Sequence, residues 1–456
     1  MDADVIVVGA GPGGYPTAIR AAQLGQRVIC IERDRVGGVC LNWGCIPSKA
    51  LLKTAELVHK MRKASDWGLT VGEVGIDYPA VIGRSRKVAE KFEKGVAHLF
   101  KKYGVTHLAG QAVVDAPGRV SVTLADGTVQ KLTCRTVVLA TGARARVFPG
   151  IHVDGERVMT YREAIVSTRR PEKAVVLGAG AIGMEFAWFW HAMGAAVTVV
   201  EGRDEILPLE DREAGAAVRK AMEKTGIAFK TGAMVKTVEK QGDGAVVVFD
   251  DGAQLQADTV LVALGITPNL EAAAHLGFAL ERGFVVVDPV GRTNLPGIWA
   301  VGDITTRGGL AHTATAQGHA AAEAIAGKHP HPIHFDAIPA ATYCQPQVAS
   351  VGLREDTAKA KGLSYRVGKF PFSANGKAWG AMAADGFVKV LVGDRGEILG
   401  ATIVGAEATE LLPELVLAMT AELTTDELLS AVHAHPTNAE AVFEAIASAL
   451  GVSVHL

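Results

Sequence analysis

This 456-residue sequence is defined first by what it has little of. Net charge is almost absent: 46 basic side chains stand against 48 acidic ones, for a formal charge of −2. With no basic footprint for a phosphate backbone, nucleic-acid binding is not expected. Cysteine is scarce. Five in the whole chain are too few for a disulfide framework, yet Cys40 and Cys45 sit close together while Cys30, Cys134 and Cys344 stand apart, which in a cytosolic chain favours redox or metal chemistry over a structural bridge. A basic leader is missing too: Met1 to Ile6 has no cationic segment, and the apolar run Val5 to Val8 breaks at Gly9, so a secretory signal and a membrane anchor are not expected and a cytoplasmic location is. Finally, no clean membrane-spanning run exists. The nearest, Ala174 to Val200, contains Glu185, His191 and glycines 178, 180 and 183, and fits a buried strand, turn and helix better.

What is present is apolar and long. Hydrophobic residues make up 49% of the chain and charged ones 21%, enough to bury a large core. One core stops growing at about 250–300 residues, and a prior of roughly one domain per 150 residues suggests about three.

One pattern is written twice. Residues 9–14 read GAGPGG and residues 178–183 read GAGAIG, each after a short β-like run, Val5 to Val8 and Ala174 to Leu177. The match continues through Ala18 and Ala187, Gly25 and Gly194, and Glu32 and Glu201, every element displaced by 169 residues. A lone G-x-G-x-x-G also occurs in ordinary βα corners, but here each glycine has a task. The first makes the tight turn, the second lets backbone approach a pyrophosphate, and the third allows helix to pack on strand. The pyrophosphate rests on the helix N-terminus, and a glutamate closing the next strand, Glu32 or Glu201, accepts from ribose hydroxyls. The expected fold class is α/β, with two Rossmann-like dinucleotide-binding domains. Two such sites suggest two cofactors exchanging electrons, flavin and nicotinamide.

Helical periodicity runs through Pro47 to Lys63 and Val81 to Tyr103, the latter with Val88, Phe92, Val96, Leu99 and Phe100 as its apolar stripe. The alternating runs Val120 to Leu124 and Val246 to Phe249, each before an Asp-Gly turn, read as small antiparallel sheets. Lys328 to Phe335, rich in histidine and proline, reads as a linker into a last domain. Its histidines lack a metal-ligand spacing, and no metal is expected.

Cys40 and Cys45 lie in GGVCLNWGCIPSKALL, residues 37–52. In a regular helix they would be separated by a rise of about 7.5 Å, beyond the roughly 7 Å Cα limit for a disulfide. They can bond only if Leu41 to Gly44 departs from helix, which Gly44 makes easy. Zinc would need two more nearby ligands, and none precedes His59. A helix beginning here would lower a thiol pKa at its N-terminus. The spacing alone leaves two inert core cysteines as open as a redox pair.

The run GGVCLNWGCIPSKALL resembles the redox-disulfide signature of the pyridine nucleotide-disulfide oxidoreductases, and within them is most similar to members that oxidise dihydrolipoamide. The resemblance spans essentially the whole chain, including VVLATGA at 137–143, IWAVGD at 298–303, VASVGL at 348–353 and HAHPTNAE at 433–440. It implies an FAD-binding domain (1–145), an NAD-binding domain (146–266), a central segment completing the FAD site (267–334) and a C-terminal α+β dimerisation domain (335–456).

Site residues follow from the matching positions. Cys40 is implied as the interchange thiol and Cys45 as the flavin-contacting thiol, with Lys49 near the flavin edge and paired to Glu185. Gly9, Gly11, Gly14, Glu32, Ala112, Gly142, Asp303 and Ala311 are implied for FAD, and Gly178, Gly180, Gly183, Glu201, Val235 and Gly265 for NAD. His435, supplied across a homodimer interface and oriented by Glu440, is implied as the base; by itself a histidine here would more often be a surface or satisfied residue. The implied activity is oxidation of a protein-bound dihydrolipoyl group to its disulfide with reduction of NAD. The implied partner is a lipoyl carrier or acyltransferase of a 2-oxo acid dehydrogenase or glycine-cleavage system, with neither nucleic acid nor membrane involved.

Departures from the family pattern are Gln317, Cys344, Gln347 and the Tyr15-Pro16 pair. Proline is tolerated only in a first turn, so the first Rossmann helix is expected to start near Gly13. Three rival readings remain. Glutathione or mycothiol reductases share the fold, but Glu201 would repel the 2′-phosphate of NADP, with Arg203 as the one nearby cation. Mercuric and large thioredoxin reductases need cysteines near the C-terminus, where this chain has none after Cys344. A noncatalytic scaffold would need neither the cysteine pair nor His435.

Overall fold

The computed structural model describes all 456 residues and arranges them around three large sheets, with smaller ones beside them. In the first, parallel strands run in the order Thr106–Ala109, Val28–Glu32, Ala3–Val8, Val129–Leu139 and Ile298–Ala300. Ala3–Val8 is almost wholly buried, as expected for a parallel strand covered on both faces. The 11-residue strand Val129–Leu139 serves two purposes. Its later half lies parallel to Ala3–Val8, and its earlier half pairs antiparallel with Arg119–Thr123, which in turn pairs with Gln111–Ala116.

The second sheet is parallel throughout, in the order Ala228–Lys230, Ala196–Val200, Lys173–Leu177, Thr259–Val262 and Val158–Met159. An antiparallel sheet, Val235–Gln241, Gly244–Phe249 and Gln254–Ala257, accompanies it. The last sheet is antiparallel, ordered Ala340–Thr342, Gln347–Gly352, Ile398–Gly405, Phe387–Val392 and Arg366–Pro371. The helices Pro413–Thr420 and Glu440–Ala449 share its buried core. No regular element forms between Ile325, where one helix ends, and the single turn Phe335–Ala337.

The 169-residue repeat is a repeat of geometry. Gly9 and Gly178 have φ of 100° and 101°, in a region that disfavours a side chain. A Cβ on Gly9 would lie 2.3 Å from the Ala140 carbonyl oxygen, and one on Gly178 would lie 2.4 Å from that of Ala263. A Cβ on Gly14 would meet the Gly9 carbonyl at 1.8 Å, and one on Gly183 the Gly178 carbonyl at 2.0 Å, so each third glycine lets its helix sit on its own turn. The first helix is Gly14–Gln23 with Gly13 as its N-cap, leaving Pro16 inside the first turn.

The helix Ala181–Ala192 explains the membrane-like stretch. It is buried nearly all round, with Met184, Phe186, Trp188, Phe189 and Trp190 in the core. No helix is long and apolar enough to cross a membrane. The helix Tyr78–Tyr103 begins where Asp77 accepts from the Ala80 N–H at 3.0 Å and stops at Gly104, φ 70°. Its buried face is Tyr78, Ile82, Ser85, Ala89, Val96 and Phe100. Phe92, expected on the apolar stripe, is instead 47% exposed and lines a surface groove; a helix this long presents different sides to the core along its length.

Candidate active site

A cavity of about 680 Å³ opens between the domains. The first glycine turn forms one end, through Gly9, Gly11 and Gly13; the strand end at Glu32, Ala112 and the 140–143 turn with Gly142 form the walls, together with Asp303 and Ala311. The helices Gly14–Gln23 and Ala311–Ile325 both start here, and neither has a side-chain cap on its first N–H groups. Two uncapped N-termini make a cradle for an anion such as a pyrophosphate. Glu32 is aimed by its own backbone, accepting from the N–H of Ala10 at 2.7 Å and of Asp34 at 2.9 Å. Asp303 accepts from the Gly309 N–H at 2.9 Å; burial pushes its carboxyl above the ordinary range, against that one hydrogen bond. These residues fit FAD. Gly14 stands behind the turn as a packing residue and does not line the cavity.

The second turn repeats the arrangement. Glu201 accepts from the N–H of Ala179 at 2.9 Å and of Arg203 at 3.0 Å, each position displaced from its counterpart by the same 169 residues. The helix Ala181–Ala192 again lacks a side-chain cap, and its Ala181, Ile182 and Glu185 reach the cavity, so this half fits a second dinucleotide that approaches the first. Gly178, Gly180, Gly183 and Glu201 lie outside the cavity, as do Val235 at the start of the antiparallel sheet and Gly265, φ 98°.

The cysteine pair sits where two helices break. Gly38–Asn42 ends, Trp43 and Gly44 leave helical geometry, with Gly44 at φ −133° and ψ −115°, and Cys45–Arg62 begins. The break brings the Cys40 and Cys45 thiols close enough to influence each other's ionisation. Cys45 opens an 18-residue helix, so the helix dipole favours its thiolate. The neighbouring Cys40 thiol and the Lys49 ammonium hold its pKa below the ordinary thiol value, against burial. The same contact and burial push Cys40 up. One turn further on, Lys49 Nζ lies 2.8 and 2.9 Å from the two carboxylate oxygens of buried Glu185. Both residues line the cavity.

A second opening reaches Cys40. A groove of about 570 Å³ is lined by Tyr15, Leu41, Phe92, Val96, Leu99 and others, Cys40 among them. Cys40 borders both spaces, whereas Cys45 borders only the first.

His435 and Glu440 are brought to each other but not to the cysteines. His435 Nδ1 lies 2.8 Å from Glu440 Oε1, and the second carboxylate oxygen accepts from the Thr437 N–H at 2.8 Å. Burial raises the Glu440 pKa, but these contacts outweigh it and hold the carboxyl below its ordinary value. The His435 side chain is 81% exposed and lines neither space. The neighbouring His433 is tied inward to Glu414 at 2.8 Å, so of the two histidines only His435 has an exposed ring.

The departures from the family pattern have structural uses. Buried Gln317 accepts from the Gly302 N–H at 2.7 Å and donates to the Arg307 carbonyl, pinning the turn that carries Asp303. Buried Cys344 donates to the Pro346 carbonyl, and Gln347 accepts from Thr409. Sequence reading missed Asn269, which locks Thr141 from both sides, and Trp43, stacked by the guanidiniums of Arg86 and Arg162. It also missed Tyr343, on the cavity wall. Trp43 inside the cysteine run was the one visible signal; the others are remote in sequence from what they touch.

The sequence profile of the pyridine nucleotide-disulphide oxidoreductases matches residues 3–318, and that of their dimerisation domain matches residues 338–446. The chain is 43% identical to the dihydrolipoyl dehydrogenase of Zymomonas mobilis, covering 99% of each. It is also 43% identical to that of Mycobacterium tuberculosis, covering 98% of each. The crystal structure of LpdA from Mycobacterium tuberculosis superposes with a TM-score of 0.91 at 29% identity, over 97% of this chain and 98% of that one. The flavoprotein disulfide reductase RclA from Escherichia coli, at 23% identity and a TM-score of 0.87 over 98% and 99% of the two chains, shares the fold.

Two dinucleotide cradles meeting beside a dithiol define an oxidoreductase that couples a nicotinamide to a sulfur pair through a flavin. The chain belongs to the pyridine nucleotide-disulphide oxidoreductases. Its cofactors are FAD and NAD, and its C-terminal region is a dimerisation domain.

Proposed function

We propose that this chain is an NAD-dependent dihydrolipoyl dehydrogenase, oxidising a dihydrolipoyl group to its cyclic disulfide. The observation that carries the reading is the asymmetric exposure of the sulfurs. Cys40 alone is reached from the apolar groove as well as the cavity, and an apolar groove suits the aliphatic arm of a lipoyl group.

In the oxidised enzyme Cys40 and Cys45 form a disulfide. His435 of the partner subunit takes a proton from one substrate thiol, and the thiolate attacks Cys40 Sγ, expelling Cys45 as a thiolate. The second substrate thiol then attacks the substrate sulfur of the mixed disulfide and releases Cys40. The substrate leaves as a disulfide, and its two electrons stay on the cysteine pair. Glu440 orients the imidazole and supports its charged form. The Cys45 helix and Lys49 make Cys45 the better leaving group. Bound FAD supplies the two-electron acceptor that returns the pair to the disulfide, with NAD the final acceptor. Gly9, Gly11, Gly14, Glu32, Ala112, Gly142, Asp303 and Ala311 would hold FAD; Gly178, Gly180, Gly183, Glu201, Val235 and Gly265 would hold NAD.

The substrate arm belongs to a lipoyl carrier or acyltransferase of a 2-oxo acid dehydrogenase or glycine-cleavage system, in the cytoplasm.

The deciding measurement compares rates with dihydrolipoamide, glutathione and mycothiol, each with NAD and NADP. Dihydrolipoamide with NAD is expected to be fastest by far; a faster low-molecular-weight thiol would overturn the reading. Glu201→Gln should weaken NAD by about tenfold, the scale of a charged hydrogen bond, while narrowing the preference over NADP because the like charge facing a 2′-phosphate is gone. Equal catalytic efficiency of the unmodified enzyme with both nucleotides would remove the role assigned to Glu201.

A further inference from the structure

The Lys49–Glu185 pair has a third member that comes from the far end of the chain. Strand Ala340–Thr342 opens the C-terminal sheet, and its last ladder pair is Thr342 with Val348. The next residue, Tyr343, is therefore beyond the ladder, and its backbone N–H is free for another acceptor. It donates to Glu185 Oε1 at 3.0 Å. The Tyr343 ring centroid lies 4.3 Å from Lys49 Nζ, well within the distance at which an aromatic face attracts an ammonium. Buried Cys344 closes the same turn onto the Pro346 carbonyl. The dimerisation domain thus reaches into the cofactor cavity with one aromatic residue that touches both partners of the pair.

We infer that Tyr343 is a positioning residue, whose ring holds the Lys49 ammonium between Glu185 and Cys45 and so sets the charge that the flavin-facing thiol experiences. The backbone N–H fixes the carboxylate; the ring fixes the ammonium. Glu185 alone would leave Lys49 free to move, since the lysine side chain is 34% exposed and ends in a cavity wide enough to admit other orientations. An ammonium displaced from the thiol stabilises its ionised form less. The ionisable groups acting on Cys45 are Cys40, Lys49 and Glu185; of these only Lys49 brings positive charge. The inference rests on the reading of Cys45 and Lys49 given under the proposed function.

The test uses the FAD-loaded dimer in a Cys40→Ser background, so that Cys45 is the one titrating thiol of the pair. The readout is thiolate ultraviolet absorbance against pH, taken as a difference from the Cys40→Ser/Cys45→Ser protein. Tyr343→Leu should move the titration midpoint upward, with the thiolate-to-thiol ratio about threefold lower at the parent midpoint, the scale of one cation–π contact. Tyr343→Phe, which keeps the ring, should retain the parent midpoint, and Tyr343→Met gives a second ringless side chain if the leucine variant does not fold. Lys49→Met separates the two readings. If it leaves the midpoint unchanged, the role given to Lys49 fails. If it raises the midpoint while both ringless variants keep the parent value, the role of Tyr343 is overturned, as it is if Tyr343→Phe moves as far as Tyr343→Leu.

Discussion

Replacing His435 with glutamine should lower dithiol turnover by at least about 10²-fold, the loss typical of a missing general base, while leaving folding, FAD content and dimerisation intact. The preserved fold is expected because the ring is exposed and its only hydrogen-bond partner is Glu440. Glu440→Gln should cost less, since it aims the base without carrying the substrate's proton. Mixing subunits gives the sharper result. His435→Gln and Cys40→Ser homodimers are each inactive, but a heterodimer contains one site with both residues intact if the base comes from the partner. Random exchange should then restore activity toward about a quarter of normal, because half the dimers are mixed and half their sites are complete. Confirmed exchange without restored turnover would rule out a shared site. The geometry within one chain already favours sharing, because His435 lines neither space that reaches Cys40.

Cys40→Ser and Cys45→Ser should each reduce dithiol turnover to background, since the exchange needs both sulfurs, and alkylation distinguishes their roles. In the reduced, FAD-loaded enzyme a small alkylating reagent should modify Cys40 first, through the groove that Cys45 does not border. Removing FAD opens the cavity, and Cys45, whose thiol is the more readily ionised of the two, should then compete. Peptide mass spectrometry after substoichiometric labelling reads the ratio. Preferential labelling of Cys45 in the loaded enzyme would reverse the assignment of the two thiols.

Sequence alone went furthest where the information is local. The turn at Gly9, the packing of Gly14 on it and the reach of Glu32 back to the Ala10 N–H all lie within 24 residues, and the same set recurs around Gly178. Backbone geometry that excludes a Cβ can be met only by glycine, so the sequence reports it directly. The cysteine run was legible for a similar reason: Gly44 marked the break between helices that lets Cys40 meet Cys45. Local periodicity was less dependable. Phe92 fitted the apolar stripe of its helix, yet only the packing of neighbouring elements decided that it faces a groove.

Tertiary structure alone decided what depends on contacts between distant segments. The exposure of Cys40 to two spaces, the lock of Asn269 on Thr141 and the approach of Tyr343 to the Lys49–Glu185 pair each join residues more than a hundred positions apart or draw on several elements at once. A side chain's type says what it can bond to, but its partner is set by the packing of sheets and helices onto one another. His435 shows the division clearly: the sequence offered two histidines two positions apart, and the fold tied His433 inward to Glu414 and left His435 exposed beside Glu440.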